Sequence, residues 1–146
     1  MRIFFSAFTL TGLFASVLVH LLTFLGISAA EYVPWVWVLH LGIFVAIIPL
    51  IGMRDELTAA PPWARTVVAI AAVYAVVNFL LFLLLVRGGS PGVVDGKYVL
   101  SSHGHVIREL SEQEYHRQQA CVLRGFSGHW MIFYLSPALY WWYRKD

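Results

Sequence analysis

The chain has 146 residues, of which 60% are hydrophobic and 12% are charged. A water-soluble domain of ordinary composition carries about 25% charged residues, so this one argues for a protein whose solvent is largely lipid. The net charge of +2 is spread over several loops, which excludes a nucleic-acid-binding face, and a single cysteine, Cys121, excludes an intramolecular disulfide.

In chain order, Ile3 to Ala30, Tyr32 to Met53 and Thr66 to Val86 are uncharged inside or nearly so, and each reaches the roughly 20 residues that cross a bilayer. Arg2 followed by an apolar run and Ser28-Ala29-Ala30 resembles a secretion signal. The run is much longer than the roughly 7 to 15 apolar residues of a signal core, so it reads as a retained first helix. Pro34 is expected in the first turn of the second helix, and Pro61, Pro62 and Trp63 open the third. Trp35 and Trp37 suit a membrane interface, and Pro49 and Pro137 are expected to kink their helices without ending them. A fourth, more polar stretch, Phe126 to Tyr143, ends in Tyr140-Trp141-Trp142-Tyr143 followed by Arg144 and Lys145, a pattern of interfacial belt and anchor.

Between the third and fourth stretches lies the only segment of soluble character. Lys97 to Ser101 and Val106 to Leu110 are β-prone runs separated by Ser102-His103-Gly104-His105, which reads as a hairpin. Ser111 with Glu114 is a capping-box pattern, so a short helix is expected from about Glu112 to Arg124 with Gly125 as its stop. The fold expected from these elements is an all-α integral membrane protein: a four-transmembrane-helix bundle with a short β-hairpin plus helix insertion between helices 3 and 4. Residues 1–86 hold three spans, residues 87–125 the extramembrane loop, and residues 126–146 the fourth span and tail. Arg2, Arg54, Arg65, Arg144 and Lys145 place both termini in the cytoplasm of a plasma (inner) membrane, and the third loop outside as a periplasmic or extracellular segment. Arg87, Lys97, Arg108, Arg117 and Arg124 in that loop weigh against this orientation, and the short connections decide it.

Within the apolar stretches, His20, His40 and Asn78 are each seven or eight residues from the same membrane surface, roughly 10 to 12 Å deep, and His129 is shallower on that side. Ionisable groups at such depth face the interior and find partners. Ser6, Thr9, Gly12, Ser16, His20 and Thr23 form one stripe of small and polar residues, and Val67, Ala71, Tyr74 and Asn78 form another. A structural hydrogen-bond layer is the favoured reading of His20, His40, Asn78 and His129. The sharper alternative is a cofactor site, with haem between His20 and His40.

In the loop, Gly96, His103-Gly104-His105 and Glu109 locally resemble the first metal-binding motif of cupins, but fewer than about 40 residues cannot build a jelly roll. A metal held by His103, His105 and His116 is a further alternative. Four short helices also resemble small multidrug transporters in size; those carry a carboxylate inside the first helix, and this chain has none there. Hydrolase triads, phosphate loops and CxxC pairs are likewise missing.

The function expected is therefore that of a binding, accessory or regulatory subunit acting through its third loop, not that of an enzyme. Tyr98, His103, His105, Tyr115, Arg124 and Trp130 are the candidate partner contacts. The expected partners are membrane lipid and either a protein or further copies of the chain, with no resident cofactor. The alternatives are a haem- or metal-binding redox subunit and a homo-oligomeric channel.

Overall fold

The structure is a computed structural model, and it describes residues 2–48, 51, 60–86 and 88–143. Helix α1 spans Arg2–Phe24, and a short α2 (Ala29–Tyr32) and a 3-10 turn (Pro34–Trp37) lead into α3 (Val38–Ile47). Helix α4 spans Pro62–Val86. Three strands follow, β1 (Ser90–Val94), β2 (Lys97–Ser102) and β3 (His105–Glu109), and α5 runs from Glu112 to Tyr143.

This arrangement corrects the expectation of four transmembrane helices. Among the described residues only α1 and α4 are long and apolar enough to cross a membrane. The second stretch forms a shorter helical segment within the described residues: Pro34 sits in its first turn as expected, the 3-10 turn runs straight into α3, and Pro34–Ile47 falls short of the roughly 20 residues that cross a hydrocarbon core. The fourth stretch is not a helix of its own. Gly125 does not stop the capped helix, which continues unbroken for 32 residues, through Pro137, to Tyr143. Its apolar half carries Ser127, His129, Ser136 and Pro137, which hold its hydropathy below that of a free-standing span. Pro49, Arg54, Arg87, Arg144 and Lys145 lie outside the described residues.

Helix α5 is the axis of the molecule. It runs antiparallel to α1: at one end the Phe5 ring stacks on Trp141, centroids 5.6 Å apart, and at the other the Arg124 guanidinium lies 5.4 Å from the Phe24 ring. The stripe read in α1 is the face that packs, since Thr9, Gly12, Ser16, His20 and Thr23 are all buried. Gly12 is required there by close approach: the Tyr134 ring lies where a Cβ would be, and its hydroxyl passes Gly42 to donate to the Leu39 carbonyl at 2.7 Å. Gly125 and Gly128 do the same for α4, seating Phe82 and Asn78. The glycine expected to end a helix thus admits a neighbour instead. The opposite faces of α1, α3 and α4 stay bare, with Phe14, Leu41, Ile70 and Leu84 each more than 60% exposed.

The strands form an antiparallel sheet in the order β1-β2-β3, three strands where two were expected. Both turns are two-residue connections with positive φ at each position, Asp95 (51°) and Gly96 (76°), then His103 (51°) and Gly104 (81°). That is the type I′ geometry whose twist matches a hairpin. A register shift between Leu100 and Ser101 bends the β2-β3 ladder. The sheet lies against the polar half of α5, with the Tyr98 ring stacked on Tyr115 at 4.5 Å, and Val99 and Leu100 of β2 are buried.

Candidate functional site

The capping box forms as written: Glu114 donates its amide to Ser111 Oγ at 3.2 Å, and Ser111 donates its own to Glu114 Oε2 at 2.9 Å. Arg108 of β3 adds a 3.1 Å ion pair to the same carboxylate. These bonds stabilise the charged form, so the Glu114 carboxyl is held below its ordinary range, mainly by the Ser111 amide and then by Arg108. They also fix β3 to the start of α5 with no linker between them. Lys97 and Glu109 pair across the sheet at 2.5 Å.

On the far side of the same helical segment, His116 Nδ1 is 2.9 Å from Glu31, which ties α2 to α5. His116 is engaged by α2, with its ring 6.2 Å from that of Tyr98, while His103 sits at the corner of the hairpin turn and His105 begins β3. Among the described residues no group of three or more His, Cys, Asp or Glu is placed to hold a metal ion. The proposed set of His103, His105 and His116 is thus not assembled.

Deeper along α5, the four polar residues His20, His40, Asn78 and His129 meet one level of the helix as two separate pairs. His20 contacts Ser127 Oγ through Nδ1 at 2.9 Å and the Tyr74 hydroxyl through Nε2. Asn78 donates to the Arg124 carbonyl at 2.8 Å, and Ser127 donates to that same carbonyl at 3.3 Å. His20 and Asn78 therefore belong to one network carried by a single backbone oxygen. His40 is elsewhere: its Nδ1 accepts from Trp130 Nε1 at 2.9 Å, and its ring lies 5.8 Å from that of His129. The single layer resolves into two clusters separated by α5. Haem between His20 and His40 finds no support in this geometry, because both ring nitrogens of His20 already have protein partners.

The candidate partner contacts also divide. Trp130 is fully buried, 0% exposed, packed between Trp37 and His40, so it is a core residue and not a contact. Tyr98 and Tyr115 spend their stacked faces on joining sheet to helix, and Arg124 covers Phe24. His103 and His105 remain exposed at the hairpin tip. Strand β3 itself, not singled out from the sequence, is exposed at all five residues, with Val106 51% and Ile107 53% exposed. No family model, curated protein or solved structure matches the chain.

Proposed function

We propose that the chain is a membrane-anchored recognition module whose sheet presents β3 to an extended segment of a protein partner. The observation that carries the reading is the outer edge of β3, bare of any neighbouring strand among the described residues yet held in place by the Arg108–Glu114 and Lys97–Glu109 pairs. A free strand edge offers a row of unpaired backbone groups, and adding a strand satisfies them. Charges on an edge usually repel such pairing. Here Arg108 and Glu109 are both engaged within the unit, leaving Val106 and Ile107 as the apolar contacts.

Anchoring rests on α1 and α4, whose outward faces are apolar over most of their length. A patch of that extent on a water-exposed surface would be a liability and in lipid is a solvation shell. The basic residue before α1 favours a cytoplasmic start of that helix in a plasma (inner) membrane.

Placing a photo-crosslinking residue at Val106 or Ile107 in intact cells tests the reading. A discrete adduct of higher mass is expected at these positions and at neither Val93 nor Phe14, which are also exposed. Equal labelling at all four positions would contradict it.

A further inference from the structure

Helix α5 is enclosed on three sides and open on the fourth. At about 100° per residue, Ser127 points to α1, Gly128 to α4 and Trp130 to α3, and His129, Ile132 and Phe133 fall in the sector left between α4 and α3. Two grooves meet there. One of about 450 Å³ runs between α4 and α5 and is lined by Ala72, Val76, Phe79 and His129. The other, about 330 Å³, runs between α3 and α5 and is lined by His40, Phe44, His129 and Phe133. Both are apolar apart from the two imidazoles at their junction.

The hydrogen-bond roles of those imidazoles follow from their neighbours. An indole N–H only donates, so the 2.9 Å contact from Trp130 makes His40 Nδ1 an acceptor and places the proton of the neutral ring on Nε2. That N–H has no partner among the described residues. A neutral His129 ring likewise carries one donor and one acceptor nitrogen. A donor on His40 and an acceptor nitrogen on His129, on rings 5.8 Å apart at the floor of a cleft walled by Phe44, Phe79 and Phe133, match a hydroxyl carried on a flat ring.

We propose that the cleft binds the headgroup of a lipid-soluble quinol, one hydroxyl accepting from His40 Nε2 and donating to His129. The aromatic walls favour a quinol over a sterol, which offers the same hydroxyl on an aliphatic frame. The site lies one to two turns beyond Arg124, the last charged residue before the apolar half of α5, a depth an interfacial headgroup reaches from the bilayer. This inference rests on the membrane location proposed above and not on the role of β3.

Nitrogen NMR of histidine-labelled protein in lipid nanodiscs tests it, with a decyl-chain benzoquinol kept reduced under argon as the probe. Saturable shifts are expected for His40 and His129, with His20, His103, His105 and His116 unmoved. Ala72→Leu narrows the groove without touching either imidazole and should weaken the apparent affinity about tenfold with the remaining spectrum retained. Three results would overturn the inference: no saturable shift, shifts unchanged by Ala72→Leu, or equal response to cholesterol. Release of the protein from native membranes by alkaline extraction would instead overturn the membrane location.

Discussion

Single side chains decide how α5 is gripped, and two of those grips make predictions. His20→Ala and Ser127→Ala should each destabilise the protein by about 0.6 to 2 kcal/mol, the range for interhelical hydrogen bonds in lipid. Because the residues share one bond, the double variant should cost clearly less than the sum in a detergent unfolding assay. Additive losses would mean that His20 holds through Tyr74 alone. The second grip is steric. Gly12→Ala drives a methyl group into the Tyr134 ring and should cost about 1 to 3 kcal/mol, most of it recovered in a Tyr134→Leu background. Thermal unfolding of the three variants measures both numbers. At this scale the sequence was informative about which residues are buried and uninformative about their partners. The α1 stripe is legible because spacing of three and four marks one face of a helix. That Tyr74 meets His20, or that Trp130 fixes His40, depends on how helices far apart in the chain rotate against each other, and local spacing holds no record of it.

Among the elements, the extramembrane unit is the most clearly written. The capping box and the His103-Gly104 turn lie where their residue types place them. Ser111→Ala should cost about 0.5 to 2 kcal/mol through loss of the N-cap, and hydrogen exchange should quicken in β3 as well as in the first turn of α5, because Arg108 bridges to the same carboxylate. The Glu114 carboxyl is held below its usual pKa, so its contribution is complete above the unfolded value of about 4.3 and fades as pH falls through the lower, folded value. Protection of the first helical turn should follow that acid limb, and Glu114→Gln should flatten it. Two elements were misjudged for different reasons. Strand β1 was overlooked although Asp95-Gly96 is among the strongest type I′ signals, since the glycines at 88, 89 and 92 and Pro91 read as a break. Glycine ends many helices, so Gly125 reads as a stop in the sequence; close packing against Phe82 calls for the same residue, and only the tertiary contact separates the two uses.

Taken whole, the molecule is one long helix, α5, cradled by α1, α3 and α4 over its apolar half and carrying a sheet on its polar half. Apolar composition alone suggests four crossings, but hydropathy does not reveal that the fourth stretch is the continuation of a polar helix. The recognition role of β3 is tested most directly by hydrogen exchange in native membrane vesicles compared with purified protein. If a partner strand docks there, amides of residues 105–109 exchange slowly in the native membranes and speed up several-fold on purification, while those of β2 do not change. Identical exchange of β3 in the two preparations would contradict the account.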